Sequence, residues 1–423
     1  MNVDCEFKLL DRNRYFVFYI MMRKVMRRII GKVMGKGFAV MLGFALLGSV
    51  AVSCSQGEDI IKGIDIAKAL ESKKVEINLS ELASSLEYIP LDMGDDFFPS
   101  NRIMRMIPTQ DAIHFVPMMF SDSHLYRFSR DGKLISKFSK VGRAAGEYLH
   151  PISTVYDKAN NRYYILTGGS SVKIYTVDGE YITSFSGKLP GYNGAFDMQY
   201  VGGKVKFFAR SKDFRRLSAL ELDDTGKIIS EDVILDYGNL ADDIFKDNLS
   251  LRVSTELKTN YSGKPLLLHH AIDSIYSYSG IAPSKVEYFV NFGNYKDGIE
   301  RKINVGGFCS ETPNHLILQT VMSLKHFDNL DPSERINYIL FDKRTGESVS
   351  LVKDANNNSY FKNDIDGGMP FFPTVVSEDK MYQLVDAITF IEQAELSTCQ
   401  AMKNIAKNLT EESNPVIVVA TLK

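Results

Sequence analysis

The chain has 423 residues, of which 44% are hydrophobic and 24% are charged, a composition that is ordinary for a globular protein and argues against global disorder. Its formal net charge is −2. Residues 1–53 hold nine Lys or Arg and three Asp or Glu, so residues 54–423 hold the remaining 41 basic and 49 acidic side chains. Because phosphate binding needs a concentrated basic face, this mildly acidic body argues against nucleic acid as the main partner.

The N-terminal region has the pattern of a secretory signal. Residues 21–36 carry six Lys or Arg side chains, and residues 38–52 are apolar and uncharged. A basic start followed by about 15 apolar residues predicts a signal segment over residues 21–53, and the apolar run is too short for a confident membrane-spanning helix. Residues 1–20 do not fit this pattern, and we interpret them as an upstream extension, with initiation at Met21, Met22 or Met26.

The signal segment ends in Ala51-Val52-Ser53-Cys54, which resembles a bacterial lipobox. The resemblance implies cleavage before Cys54 and a lipid on its sulfur, and therefore an outer-membrane lipoprotein of the cell envelope that faces the periplasm or the surface. An uncleaved anchor and an ordinary signal peptide that happens to contain Cys are the alternatives. In the body only Cys309 and Cys399 remain. We expect two buried free thiols there, while a disulfide between them stays open for an exported protein.

The body begins with residues 60–73, whose apolar positions are typical of a short helix, and continues with predicted strands over residues 74–79 and 86–91. Six clusters of short strands follow, and alternation of apolar and polar residues marks many of their strands. The clusters cover residues 112–138, 162–185, 204–229, 265–292, 315–352 and 380–422.

The second cluster is the clearest unit. Asp178-Gly179 separates two alternating segments, and an Asp-Gly pair in that context is a strong hairpin signal. The first cluster turns at Asp131-Gly132, which is 47 residues earlier, and the third turns at residues 224–226, again about 47 residues later. The recurrence predicts that one structural unit repeats along the chain.

Repeats of about 40–60 residues with three or four strands each are typical of propeller blades. We therefore predict an all-β, six-bladed β-propeller over residues 74–423, with a tether and short helix over 54–73 and a short helical insertion over 394–408. Pairing of residues 74–79 or 86–91 with the last strands would close the ring with N- and C-terminal strands. Two packed β-sandwiches are the alternative, but no Pro-, Ser- or Gly-rich stretch supplies the linker that they require.

Two loop sequences resemble those of a known family. Residues 141–148 read VGRAAGEY, and residues 363–373 read NDIDGGMPFFP. With the lipobox and the early LEYIPL strand, they resemble the six-bladed β-propeller lipoproteins of gut Bacteroidetes, relatives of NHL-type propellers that are largely of unassigned function. The resemblance covers residues 54–423 and implies the fold and an envelope location, but no substrate. The family pattern is close to GRGPGEY, and here Ala144-Ala145 replaces Gly-Pro, which makes the loop less rigid.

The first of these loops supplies three candidate ligand-binding residues, Arg143, Glu147 and Tyr148. A functional interpretation places Arg143 and Glu147 at the mouth of the central channel, where a guanidinium and a carboxylate face a polar ligand. A structural interpretation has Arg143 pairing with Glu147 or with a backbone carbonyl group to lock the crossover between blades. We favour the structural interpretation, because charged pairs in such loops commonly fix geometry.

The second loop supplies Asn363, Asp364 and Asp366, followed by two glycines. Closely spaced oxygen side chains suit a hard cation such as Ca²⁺, but the Glu that completes an EF-hand loop is missing. An Asx-type turn, in which Asn and Asp bind their own backbone, is the preferred interpretation. A polar site at the channel mouth and a weak Ca²⁺ site are the alternatives, and we predict no other cofactor or metal.

The sequence contains no GxSxG, P-loop, GxGxxG or zinc-type spacing. We therefore predict a ligand-binding or protein-interaction module, whose partner is a small molecule, a glycan, a peptide or an envelope protein. The alternative is an extracytoplasmic hydrolase or lyase that acts on glycans or peptides at the channel mouth, with Arg143, Glu147, Asp364 and Asp366 as its first candidates. A purely structural subunit of an outer-membrane assembly is a third hypothesis.

Overall fold

The computed structural model describes residues 62–99, 104–118, 124–168, 171–186, 189–223, 225–238, 255–269, 273–281, 284–297, 300–323 and 331–423. The predicted signal segment, the upstream extension and the lipidation residue Cys54 lie outside the described residues. Residues 61–423 form one compact unit.

The described residues form six blades of a propeller, each with four antiparallel strands, and blade 4 has a fifth, parallel strand at its edge. The chain starts with β1 (Lys62–Asp65), α1 (Ile66–Glu71) and β2 (Ala83–Pro90). Blade 1 contains β3 (Met104–Pro108), β4 (Ala112–Pro117), β5 (Leu125–Ser129) and β6 (Leu134–Phe138). Blade 2 contains β7 (Pro151–Asp157), β8 (Arg162–Thr167), β9 (Ser171–Thr176) and β10 (Tyr181–Ser186). Blade 3 contains β11 (Tyr192–Val201), β12 (Lys204–Ser211), β13 (Arg216–Leu222) and β14 (Ile228–Asp236).

The second half of the ring repeats the same order. Blade 4 contains β15 (Thr255–Thr259), β16 (Pro265–His269), β17 (Ser274–Ser277) and β18 (Lys285–Asn291), and a small hairpin of β19 (Lys296–Asp297) and β20 (Glu300–Arg301) follows it. Blade 5 contains β21 (Ile303–Glu311), β22 (His315–Met322), β23 (Ile336–Asp342) and β24 (Ser348–Ser350). Blade 6 contains β25 (Val375–Ser377), β26 (Lys380–Val385) and β27 (Val416–Leu422), with α2 (Ala387–Leu396) and α3 (Gln400–Ala406) between the last two. Short 3-10 turns cover Leu79–Glu81, Gly293–Tyr295 and Pro332–Glu334.

The ring is closed by the early strand β2, which pairs antiparallel with β27 and becomes the outer strand of blade 6. The sequence prediction of closure by N- and C-terminal strands is therefore confirmed. The other early segment, residues 74–79, does not join a blade as a strand. Within it, Val75 and Asn78 form isolated bridges to Leu351 and Lys362. The predicted strand over residues 74–79 is wrong, because this segment has no continuous strand edge beside it.

A second N-terminal segment extends blade 4. Strand β1 pairs in parallel with β18, from Lys62 opposite Tyr288 to Asp65 opposite Asn291, and forms a fifth strand at the outer edge of that blade. Helix α1 follows directly. Its N-cap residue is Asp65, whose side chain accepts a hydrogen bond from the backbone N–H of Lys68 at 2.9 Å. Such a bond satisfies one of the free donors at a helix start.

Apolar faces of neighbouring blades make the core. Strand β27 has the sequence VIVVATL, and its first five residues are buried because blades cover both of its faces. The innermost strands also touch one another, β7 with β11 and β21 with β25, which shows that the first strand of each blade lines the axis. The sequence clusters missed these first strands, since they are polar or glycine-containing and carry no clean alternation.

Because each blade is antiparallel, every crossover from an outer strand to the next inner strand lies on one face of the ring, here called the crossover face. Residues 91–99, 139–150 and 351–374 lie in three of these crossovers. The link between β26 and β27 emerges on the same face, so α2 and α3 lie there too. The predicted helical insertion at residues 394–408 is confirmed as an insertion but is longer, and it is split at residues 397–399 into two helices.

Candidate functional site

The first predicted loop, residues 139–150, is closed by its own backbone. Tyr148 donates its N–H to the carbonyl of Lys140 at 2.9 Å, and the carboxylate of Glu147 accepts the N–H of Ala144 at 2.8 Å. Arg143 is exposed, and no ion pair joins it to Glu147 in this described loop. The loop is thus locked by Glu147 and the backbone.

The aromatic residue of that loop, Tyr148, is buried and packs against other side chains. Tyr148 is 2% exposed and meets the ring of Tyr175 edge-on, with ring centroids 6.1 Å apart. Tyr175 in turn donates its hydroxyl to the carbonyl of Gly146 at 2.7 Å. Tyr148 therefore holds the crossover against blade 2, and its buried ring does not face solvent.

The second predicted group, in residues 363–368, forms an Asx-type turn with long-range contacts. Asp364 accepts the backbone N–H of Ser80 at 2.9 Å and its hydroxyl at 2.6 Å, and this hydroxyl bond holds the pKa of the Asp364 carboxyl below its usual range. Asn363 donates its amide to the carboxylate of Asp366 at 2.8 Å and accepts the N–H of Ile365 at 3.2 Å. The side chains of Asp364 and Asp366 thus serve different neighbours.

Asp366 is the centre of a half-buried polar cluster. Its carboxylate accepts the hydroxyl of Tyr88 at 2.9 Å, the thiol of Cys399 at 3.3 Å and the N–H of Gly368 at 2.9 Å. Burial and the adjacent carboxylate raise the pKa of Tyr88, so this phenol stays protonated and remains a donor. Cys399 is a buried free thiol, as predicted.

The structure does not bring the two predicted groups together. Tyr148 packs in the hydrophobic cluster between blades 1 and 2, whereas Met369 and Phe371, which follow the second turn, pack in the cluster of blades 5 and 6. The predicted residues therefore lie in two separate crossovers: Arg143 and Glu147 in the first, and Asn363, Asp364 and Asp366 in the second.

A polar cluster at the axis was missed from the sequence. Arg105 on β3 donates to the carboxylate of Asp197 on β11 at 3.0 Å and to the carbonyl of Met198 at 3.3 Å, across the strand β7 that lies between them. Ser153 on β7 and Gln199 also donate to Asp197, at 2.6 and 2.7 Å. This cluster joins the inner strands of three blades, and no local spacing could reveal it, because Arg105 and Asp197 are 92 residues apart.

A groove of about 950 Å³ lies on the crossover face, between the crossover that leaves β2 and the segment that follows α3. Phe97 at its edge is 61% exposed. No Lys or Arg lines the groove within the described residues. The carboxylates that line it are Asp92, Asp95, Asp96, Glu411 and Glu412, and the larger apolar side chains are Leu91, Phe97, Ile405 and Leu409.

The groove carboxylates are largely uncompensated. Asp96 meets Lys137 at 3.2 Å, and Asp92 accepts the N–H of Gly94 at 3.0 Å within its own turn. Asp95, Glu411 and Glu412 are exposed, and within the described residues no ion pair neutralises them. The groove is therefore a concave, negatively charged surface with an apolar component.

The sequence matches the family model described as domain of unknown function DUF4934 over residues 61–421. The chain belongs to the DUF4934 family. The match spans every blade of the propeller and both N-terminal segments, β1 and β2, that complete blades 4 and 6. No curated protein matches this DUF4934 chain.

Several solved structures are similar to this DUF4934 protein. A presumed exported protein of Bacteroides fragilis is 15% identical, with a TM-score of 0.58, and the alignment covers 86% of this chain and 99% of that one. A member of the DUF4221 family from Bacteroides vulgatus is 12% identical, with a TM-score of 0.47 and coverage of 83% and 99%. Virginiamycin B lyase from Staphylococcus aureus is 9% identical, with a TM-score of 0.36 and coverage of 66% and 77%. At these identities the first likeness supports the fold alone, and the other two carry no argument.

Two further observations concern the described part of this DUF4934 chain. None of its helices is both long and apolar enough to cross a membrane. No group of three or more His, Cys, Asp or Glu side chains is arranged there to hold a metal ion. In residues 363–368, carboxylate oxygens of Asp364 and Asp366 already accept hydrogen bonds from the protein.

Proposed function

We propose that this protein is a lipid-anchored, extracytoplasmic propeller that binds a basic segment of another envelope protein in the groove on its crossover face. The observation that carries the proposal is the groove itself, which combines five carboxylates with apolar side chains and has no basic lining residue among the described residues. A peptide with alternating basic and apolar side chains complements both features, since charge complementarity selects partners and apolar contact adds affinity.

The contacts of the predicted site residues favour binding over hydrolysis. A general acid needs a proton-donating atom, and a general base a proton-accepting atom, directed at a substrate. Glu147 is instead bonded to the N–H of Ala144, Asp364 to Ser80, and Asp366 to Tyr88 and Cys399. The hydrolase or lyase hypothesis has no specific observation in its favour, and the proposed binding function needs neither a catalytic residue nor a cofactor.

The location is part of the proposal. It is supported by the basic and apolar signal pattern, by the lipobox-like residues that end at Cys54, and by the fold shared with a presumed exported protein of Bacteroides fragilis. The relation to NHL-type propellers belongs to the same proposal and is supported by the loop motif at residues 142–148. Replacement of Cys54 by Ala is expected to abolish labelling by a fatty-acid analogue and to move the protein from the membrane fraction to the soluble fraction. Unchanged labelling would contradict the anchor.

Binding in the groove is tested with a fluorescent ten-residue peptide of alternating Lys and Leu, titrated with the purified full chain and followed by fluorescence anisotropy. We expect saturable binding that weakens as salt rises, because the attraction between exposed charges is screened. A peptide in which Glu replaces every Lys is expected not to bind. Equal binding of both peptides would refute the electrostatic part of the proposal.

The decisive variant reverses two groove charges, Glu411→Lys and Glu412→Lys. We expect the dissociation constant to rise at least about tenfold, which corresponds to about 1.4 kcal/mol. The matched control is Glu392→Lys with Glu395→Lys, which reverses two exposed charges on α2 outside the groove. If both double variants weaken binding equally, the peptide senses overall charge, and the groove is not the site.

A further inference from the structure

A buried arginine of blade 3, near the crossover face, carries an inference that does not depend on the groove. Arg210 lies near the end of β12, one residue before the link to β13. Its side chain points to the same side of the strand as Phe208, which packs in the hydrophobic cluster between blades 3 and 4. Arg210 is only 9% exposed.

The guanidinium of Arg210 makes no hydrogen bond or ion pair with any residue that the structure describes. Its Nε and Nη2 atoms are closed off from solvent and make no hydrogen bond, whereas Nη1 is not closed off in this way. The guanidinium lies over the ring of Phe196, whose centroid is 4.6 Å from the guanidinium carbon. Burial lowers the pKa of Arg210, although Tyr237 opposes this shift, and an arginine remains protonated in any folded protein.

The same strand offers an internal comparison. Lys206 is four residues earlier, on the same side of β12, and is also buried, with 4% of its surface exposed. Its ammonium group is compensated by two carboxylates, Glu221 at 3.4 Å and Asp232 at 3.2 Å. The chain thus neutralises one buried cation on this side of β12, whereas the next one, Arg210, has no carboxylate partner among the described residues.

A buried cation without an ion-pair partner lowers the stability of the fold, because the hydration that it loses is not replaced by hydrogen bonds or charges. Its contact with one aromatic ring offsets only a part of this loss. Nε and Nη2 form one edge of the guanidinium fork, and Nη2 and Nη1 form another. Each edge matches the two oxygens of a planar carboxylate. The aromatic wall beside the fork favours a singly charged, partly apolar anion over the more strongly hydrated phosphate.

We propose that Arg210 is the receptor for the carboxylate of a small organic acid, which enters between blades 3 and 4 on the side of Nη1 and stacks its apolar part near Phe196. The site is distinct from the groove, since Arg210 belongs to blade 3 and the groove lies where blade 6 meets blade 1. The ligand class is an aromatic or aliphatic monocarboxylate.

The test is thermal unfolding of the full chain with benzoate as the probe, benzamide as a neutral molecule of the same shape, and inorganic phosphate. We expect benzoate at ten times its dissociation constant to raise the unfolding midpoint by about 2 °C, and benzamide to have no effect. A shift with phosphate that depends on Arg210 and exceeds that of benzoate would overturn the choice of a carboxylate.

The variant Arg210→Met removes the charge and keeps the length of the side chain. Without ligand it is expected to unfold at an equal or higher temperature than the parent chain, because an unpaired buried charge has been removed, and it should lose the benzoate shift. Lys212→Met removes an exposed charge two residues away and should keep that shift.

Loss of several degrees in Arg210→Met, or a benzoate shift that it retains, would overturn the proposal. If Arg210→Met does not fold, Arg210→Gln provides the same comparison with a polar side chain. The peptide titration of the groove is a separate measurement, so failure here and failure of the proposed function are told apart.

Discussion

Acidification should destabilise the fold through one buried histidine. His114 on β4 is fully buried between blades 1 and 2, where its Nδ1 atom lies 2.5 Å from the hydroxyl of Tyr163 and its ring stacks on Tyr156 at 4.3 Å. Its Nε2 atom has no partner. Burial, helped by the nearby positive charge of Arg127, lowers the pKa of His114 from 6.5 to about 4.

The sign and size of the effect follow from this shift. Between pH 6.5 and 4 the unfolded chain binds a proton at His114 and the folded chain does not, so folding free energy is lost as the pH falls through this window. The full loss for a shift from 6.5 to about 4 is about 3 kcal/mol. Between pH 7 and pH 5 it amounts to about 2 kcal/mol. Burial also lowers the pKa of His315, which acts in the same direction, so a single-site variant is needed.

Urea unfolding of the full chain and of His114→Gln at pH 7 and pH 5 measures the effect. Glutamine cannot titrate, so the difference in unfolding free energy between the two pH values should be about 2 kcal/mol smaller in the variant than in the parent chain. The comparison is insensitive to any constant loss of stability that the substitution causes. An equal pH dependence in both proteins would refute the assignment of the effect to His114.

Three further perturbations test other contacts. A double-mutant cycle of Arg105→Met and Asp197→Asn, read by urea unfolding, should give a coupling of about 1–3 kcal/mol, and additive effects would show that the axial ion pair is not a unit. Tyr88→Phe removes one donor to the half-buried carboxylate of Asp366, so we expect a loss of about 1–2 kcal/mol in the same assay, and an unchanged midpoint would contradict this role. Gly132→Ala should lower the unfolding midpoint more than Gly203→Ala, by about 1 kcal/mol or more. Both glycines have positive φ, but only the first has a backbone carbonyl in the path of an added methyl group, and equal midpoints would count against this steric reasoning.

Much of the fold could be predicted, because the strands and turns of each repeated unit are close together in the sequence. The hairpins at Asp131-Gly132 and Asp178-Gly179 need residues that tolerate positive φ, and both glycines have it, at 90° and 89°. The inner strands were not predictable in the same way. They face the axis and each other, so polar residues such as Arg105 and Asp197 replace the clean alternation on which a sequence pattern depends.

The candidate sites were less accessible from the sequence, because chemistry there depends on partners that are distant along the chain. The turn at Asn363 was correctly identified as an Asx-type turn. Its long-range partners, Tyr88 and Cys399, lie 278 and 33 residues from Asp366 and could not be paired with it by spacing. No sequence pattern indicated Arg210 as a site, because a charged residue near a strand end is usually exposed. Only its burial without a carboxylate partner among the described residues makes it unusual.

The closing strand also means that blade 6 cannot be completed until the end of synthesis. Strand β2 leaves the ribosome early, yet its partner β27 begins only at Val416, about 330 residues later. At about 5–20 residues per second this interval lasts roughly 15–65 s. Throughout it, residues 83–90 are an unsatisfied strand edge that is open to wrong pairing with a neighbouring nascent chain. A factor that covers residues 83–90 until β27 is synthesised would prevent this wrong pairing.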